Sequence, residues 1–593
     1  MRLLVSLIIA VAFILPSFAF DIVVDGKAAA VVVVDPKGPK SSEKAASEFV
    51  SYVEKMTGVK LQISDGESES LPVIRIGAPC NAKFTDEIRV FVNANGELEI
   101  TGQAPRGPAY AVYKFLETFG VRYWSPWRET VPEVKTLRIP NSFKISYHPP
   151  FDSRSGWSIS DCGHTPAMQA WRVKVGHNGS VIPAYGGSYQ FTFGETITYK
   201  FMKPKKYFDA HPEWYALVNG TRKPTQLCVS NEDCIDAFEA EIREELKAKP
   251  DLRFISVVSA DNNEFCQCKG CMRIRSKMNG GPAALEVYVA NEMARRFHKE
   301  YPELHFTVLA YWDKERAPQR CKLENNVSVG LALGHTQNLP VSKCKQWQEI
   351  AQRWEKLAQN RIYIWDYYAG FNNFHEPRAD FYNIAETMRY YRDHKYKGVS
   401  AQLALGRTSN FGELKAYIWA QFAWNPDQNI DAMISEYIKC NFGDGAPFVQ
   451  KYWEQNLRLM RTSKDVKMRM YGMNYDNWYR ARDMFNAWEL VHKALEATKD
   501  DPVSYKQCQY LYVSVLTDFL LRWDRQNITV ALHRYPNVKP TPDRSQILAD
   551  LEEILTKYPE FYFSEHVTWK VQLAKFKEQE KERLAKMPKL LKK

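Results

Sequence analysis

The sequence predicts an α/β protein: a (β/α)8-type barrel preceded by a small α/β domain and followed by a helical C-terminal region. Three observations carry this. Short apolar runs alternate with helix-like segments between about 146 and 445, strand-like alternation with two amphipathic helical stretches comes before them, and almost purely helical patterning comes after. The chain of 593 residues, 45% hydrophobic and 25% charged, is long enough for these parts and excludes disordered and collagen-like classes.

In chain order, residues 1–19 read as a secretory signal peptide: Arg2, an apolar run from Leu3 to Leu15, Pro16, and the small residues Ser17 and Ala19 before a cut. The run is short for a membrane span of about 20 residues, so no stable membrane anchor is expected and the protein is exported, to the periplasm or the exterior. Residues 20–145 form the α/β domain. DIVVDGKAAAVVVV reads as a hairpin, and the helical pattern through Ala45, Phe49 and Val53 starts at a Ser41 or Ser42 cap and stops at Gly58. Two strand patterns follow, with Asn95-Gly96 as a type I′ turn signal, then a helix from about Arg106 to Glu117.

Residues 146–445 are the barrel. Its strand candidates are Phe151–Trp157, Ser180–Tyr185, Phe254–Ala260, Phe306–Trp312, Val327–Leu333, Arg361–Tyr368 and Gly398–Leu405. No Gly-x-Gly-x-x-Gly follows any of them, which disfavours a dinucleotide cofactor, and none is expected. Residues 446–593 are the helical region. The surplus of +11 is partly a property of its end, since the last nineteen residues carry eight basic and three acidic groups. Nucleic acid is therefore not expected as a partner. Oligomeric state is left unassigned.

Catalytic groups of a barrel gather at the carboxyl ends of its strands. Asp261 follows FISVVSA, with Glu264 just beyond; Asp313 follows VLAYW; Asp366 follows IYIW; Glu413 lies after the last strand. Around them stand Trp157, Trp312, Trp365, Tyr367 and Tyr368, aromatic faces suited to sugar rings, and Arg154, a permanent cation for hydroxyl or carbonyl groups. Paired carboxyls among aromatics fit glycoside hydrolysis, in which one acid protonates the leaving oxygen. Asp261, Glu413, Asp366 and Glu264 are the catalytic candidates. No Gly-x-Ser-x-Gly, P-loop or His-Glu-x-x-His competes.

Cys266, Cys268 and Cys271 form a Cys-x-Cys-x-x-Cys cluster among eleven cysteines. In an exported protein disulfides are the default, and no metal is assigned. The alternative is a structural zinc with a fourth thiolate from Cys228 or Cys234. Either way the cluster pins the loop that carries Asp261.

The run ITGQAPRGPAYAVYKFLETFGVRYWSP resembles the end of the small domain that precedes the barrel in α-glucuronidases and β-N-acetylhexosaminidases. The strings YFDAHPEWYALVNGTRKPTQLCVSN, SADNNEFCQCKGC, RIYIWDYYAGFNNF and ELKAYIWAQFAWNPDQN resemble the bacterial family called domain of unknown function 4838. Part of that family is classed as glycoside hydrolase family 163, endo-β-N-acetylglucosaminidases acting on N-glycans. The resemblance implies a secreted hydrolase of β-linked N-acetylhexosamine in a glycan or glycoprotein, with the substrate's acetamido oxygen as nucleophile. In the hexosaminidases the two working acids are adjacent, Asp then Glu, whereas here Asn262 follows Asp261. An inverting α-glucuronidase-like enzyme and a non-catalytic glycan-binding barrel are the alternatives.

Overall fold

The structure, a computed structural model, describes residues 19–590 apart from 65, 67–70, 158–164, 335–338, 405, 463–469, 472–476 and 561. The signal segment thus falls outside the described residues, as does the side chain of Trp157. Two compact units are present: residues 1–122, 129–149 and 182–187, and residues 123–128, 150–181 and 188–593.

The first unit begins with the hairpin β1 (Ala19–Val24) and β2 (Lys27–Ala28), turning through Asp25 and Gly26. Strand β3 (Val31–Val34) leads into α1 (Ser41–Thr57), which ends on Gly58 in the left-handed region. The cap at the other end is Lys40, not a serine; Ser41 Oγ instead donates to the Pro105 carbonyl. After β4 (Ile63–Ser64) and β5 (Val73–Ile76) come β6 (Ile88–Val92) and β7 (Leu98–Gly102). Their turn departs from type I′, because only Gly96 has positive φ, and Gly96 N–H donates to the Asn93 carbonyl. That is a type I turn closed by a left-handed glycine. Helix α2 (Gly107–Glu117) follows, then β8 (Arg122–Ser125) and β9 (Arg128–Thr130), of which residues 123–128 belong to the second unit, and then β10 (Leu137–Pro140) and β11 (Lys144–Tyr147). A six-stranded sheet in the order β11-β6-β7-β5-β3-β4 carries the two helices, whose Phe49 and Phe115 rings stack 6.2 Å apart.

The second unit opens with β12 (Ser153–Trp157) and α3 (Pro166–Lys174). The short α4 (Pro204–Tyr207), the hairpin β13 (Tyr215–Val218) and β14 (Thr221–Leu227), and α5 (Glu232–Ala248) follow. Then come β15 (Phe254–Ser256), α6 (Lys269–Lys277), α7 (Ala283–His298), β16 (His305–Ala310), β17 (Val327–Leu331), α8 (Lys345–Ala358), β18 (Ile362–Tyr367), α9 (Phe381–Asp393) and β19 (Gly398–Gln402). Six strands form one parallel sheet in the order β12-β19-β18-β17-β16-β15. The last strand returns to the first, as a barrel requires, with Ser153–Trp157 paired residue by residue to Gly398–Gln402. Val327–Leu331 is buried throughout, as a strand covered on both faces must be.

Between β12 and β15 the curl is completed by main chain without strand geometry. Asn178 N–H donates to the Arg154 carbonyl at 3.0 Å, Tyr189 N–H to the Asn178 carbonyl at 2.7 Å, and Glu195 makes a parallel bridge with Val258. Gly176 has φ of +90°, and a Cβ there would lie 2.6 Å from the Trp424 ring. The expected strand Ser180–Tyr185 does not form. Pro183–Tyr185 is a 3₁₀ turn closed by left-handed Gly186, and a proline followed by two glycines cannot hold an extended ladder.

Helices α10 (Gly412–Trp424), α11 (Ile430–Phe442), α12 (Ala446–Thr462), α13 (Ala481–Thr498), α14 (Pro502–Arg522), α15 (Ile528–Arg534), α16 (Arg544–Lys557) and α17 (Trp569–Leu590) complete the unit. All residues of α10 are buried, as expected of a helix with no polar stripe enclosed on every side. No helix among the described residues is long and apolar enough to cross a membrane.

Candidate active site

Strand periodicity decides which residues of β18 face the barrel interior. Side chains alternate, so Tyr363, Trp365 and Tyr367 share one face and Ile364 and Asp366 the other. Tyr363 stacks on Phe191 with centroids 3.5 Å apart, and Trp365 meets Phe193 edge-on at 5.7 Å, which puts the irregular 189–196 segment against the inner face. Asp366 therefore points out, toward α9. There it accepts hydrogen bonds from the Tyr368 and Tyr391 hydroxyls at 2.8 Å each, and burial pushes its carboxyl up to about 6.

At the carboxyl ends of the strands the structure gathers a different set of groups. Asp261 is exposed beyond β15, and Glu195 sits half-buried beside it on the neighbouring stave. Burial raises the Glu195 carboxyl above its ordinary range, and the Asp261 charge raises it further. The Tyr311 hydroxyl, at the end of β16, feels Asp261, Glu195 and Glu565 and has Tyr367 as a hydrogen-bonding neighbour. From the C-terminal region, Glu565 accepts from Gln402 Nε2 at 2.7 Å and from the Tyr471 hydroxyl at 2.5 Å. It is held there by its N–H, which donates to the Phe371 carbonyl at 3.0 Å. The mouth thus combines three carboxyls, three tyrosines, a glutamine and Trp365. Glu195, Glu565, Tyr311 and Tyr471 were not among the sequence candidates.

Several of those candidates lie elsewhere. Arg154 is fully buried, donating to the carbonyls of Gly176 at 2.8 Å and Phe151 at 2.5 Å with its guanidinium 5.1 Å from the Trp424 ring centre. It binds main chain and is closed to a substrate. Glu413, in the first turn of α10, is 4% exposed; its surroundings are Ser125, Arg128, Arg407, Tyr437 and Lys506, and burial pushes it up to about 7. Asp261 and Glu413 are therefore not brought together as an accessible pair. Glu264 is ion-paired to Lys223, whose proximity holds its carboxyl below the ordinary range. Trp312 is 69% exposed with φ of +53°, and Asp313 beside it is exposed. Lys314 turns inward to a buried ion pair with Glu286 at 2.6 Å. Tyr368 is buried against Asp366, whereas Trp365 and Tyr367 share the inner face and Trp312 follows Tyr311 at the carboxyl end of β16.

The loop that carries Asp261 ends in the cysteines. Cys228, Cys266, Cys268 and Cys271 have their sulfurs within 4.8 Å of one another, and Cys234 is not among them. Three of the four are buried.

The fold is a barrel-like curl of parallel strands with a mouth of carboxyls and aromatics. The chain resembles a family GH115 4-O-methyl-α-glucuronidase with specificity for decorated arabinogalactans: 12% identity, TM-score 0.60, 92% of this chain and 78% of that one covered. It also resembles a family 89 glycoside hydrolase from Clostridium perfringens, at 11% identity and TM-score 0.53, covering 87% of this chain and 65% of the other. At such identities the likeness speaks for the fold. No curated protein matches the chain. Residues 123–454 match the family described as Domain of unknown function (DUF4838), and the chain belongs to that family.

Proposed function

We propose that the protein is an exported glycoside hydrolase that cleaves a β-linked N-acetylhexosamine in a glycan or glycoprotein, an endo-β-N-acetylglucosaminidase-like activity. The observation that carries the reading is the half-buried Glu195 carboxyl beside Asp261 at the barrel mouth, both of them felt by the Tyr311 hydroxyl. A carboxyl that holds its proton more tightly than a free glutamate suits a general acid. In this account Glu195 gives its proton to the glycosidic oxygen as the bond to the anomeric carbon breaks. The substrate's acetamido oxygen attacks that carbon, and the Asp261 carboxylate accepts a hydrogen bond from the acetamide N–H. Water then opens the cyclic intermediate, losing a proton to the Glu195 carboxylate, which restores the acid. Glu565, Gln402, Tyr311 and Tyr471 supply acceptors and donors for sugar hydroxyls, and Trp365 and Tyr367 an apolar face. The likeness of the fold to family GH115 and family 89 glycoside hydrolases supports hydrolase chemistry, and the signal-like segment 1–19 supports export.

The test is incubation of purified protein with an N-glycoprotein and with glucuronoxylan, reading released sugars by mass spectrometry. Release of N-glycan cut within its N-acetylglucosamine core is expected. Uronic acid from glucuronoxylan alone would favour the α-glucuronidase-like alternative. Binding without release from either would favour a non-catalytic glycan receptor.

A further inference from the structure

We infer that Cys228, Cys266, Cys268 and Cys271 bind one zinc ion in a closed tetrahedral thiolate site, whose task is to fasten the loop bearing Asp261. The sulfurs come from two places in the fold. Cys228 closes the β13/β14 hairpin, while the other three run from the end of the Asp261 loop into the first turn of α6. All four lie within 4.8 Å of one another, and Cys228 Sγ is 3.6 Å from Cys268 Sγ. Zn–S bonds of about 2.3 Å in a tetrahedron place sulfurs about 3.8 Å apart, so the cluster comes within about an ångström of the ligand shell.

The surroundings suit thiolates. The Leu217 N–H donates to Cys266 Sγ at 3.3 Å and the Cys271 N–H to Cys268 Sγ at 3.4 Å, bonds that favour negatively charged sulfur. Ser230 Oγ lies 3.3 Å from Cys268 Sγ. The Arg222 guanidinium faces Cys228, Cys266 and Cys268, opposing the double negative charge of a four-thiolate zinc centre. Cys234, the other cysteine considered for the fourth ligand, is spoken for: its thiol donates to the Trp214 carbonyl at 3.4 Å. Binding releases four protons to solvent and involves no change of oxidation state. Four protein ligands leave no open position, so the ion performs no chemistry on substrate and acts by fixing the hairpin to the loop.

This inference does not rest on the glycosidase reading. Its test is elemental analysis of the purified full chain after gel filtration, in wild type and in Cys268→Ser and Cys234→Ser. About one zinc per chain is expected in wild type and Cys234→Ser, and less than about a fifth of that in Cys268→Ser. Because Cys268→Ser could fail to fold, cobalt exchange into wild type is the second measurement, with tetrahedral thiolate charge-transfer and d–d absorption expected. Metal-free protein whose four cysteines pair as disulfides on peptide mapping would overturn the inference, as would iron in place of zinc, or free thiols that take up neither zinc nor cobalt.

Discussion

At the scale of single residues, the account turns on Glu195 and its charged neighbour. A general acid works while protonated, so activity falls as pH rises through its pKa. The Glu195 carboxyl is raised, first by burial and then by Asp261, so the basic limb of kcat/KM lies above the ordinary glutamate range. Asp261→Asn removes the like charge and is expected to move that limb to lower pH while also lowering the rate; an unmoved limb in the pH profile would separate the two carboxyls. Arg154 makes the opposite point. Its guanidinium satisfies buried carbonyls, and each one left unpaired costs about 1–3 kcal/mol. Arg154→Ala is expected to lower the melting temperature by several degrees with KM of the remaining folded enzyme unchanged, read by calorimetry and steady-state kinetics.

At the scale of elements, the buried end of α10 is an electrostatic liability. Glu413 ionises near 4.5 in an unfolded chain and near 7 in the fold. Between those values folding takes up a proton, so this carboxyl's contribution to stability is present below about 4.5 and is lost as pH rises to about 7. Glu560, whose carboxylate accepts from the Arg407 N–H at 3.1 Å, is raised in the same sense. Glu413→Gln is expected to flatten the fall of melting temperature between pH 4.5 and 8 and to be the more stable protein at pH 8; parallel curves would contradict this. The same element shows what the sequence could reveal. An acid after the last barrel strand was legible, but α10 has no polar stripe, and that pattern signals enclosure rather than a rim. On β18, likewise, alternation could have separated Asp366 from Trp365 and Tyr367, since neighbours in a strand cannot both face inward. The barrel strands themselves were legible because buried parallel strands read as apolar runs. The segments 176–181 and 188–196 were not, because glycines at 176, 179 and 194 interrupt the strand signal there.

At the scale of the whole molecule, the mouth is assembled from segments far apart in sequence. Glu195 is brought to Asp261 by one parallel bridge, and Glu565 to Gln402 by a return of the chain after α16. No spacing rule connects those positions, so local pattern could supply Asp261 but neither Glu195 nor Glu565. The cysteine string was legible as a motif, whereas the selection of Cys228 over Cys234 needed the hairpin in three dimensions. The most direct test of the account is turnover of an N-glycoprotein by wild type, Glu195→Gln and Glu413→Gln, each verified as folded by circular dichroism. The account predicts a loss of about 10²–10⁴-fold in kcat for Glu195→Gln and a rate within a few-fold of wild type for Glu413→Gln. Full activity in Glu195→Gln, or its abolition in folded Glu413→Gln, would contradict it.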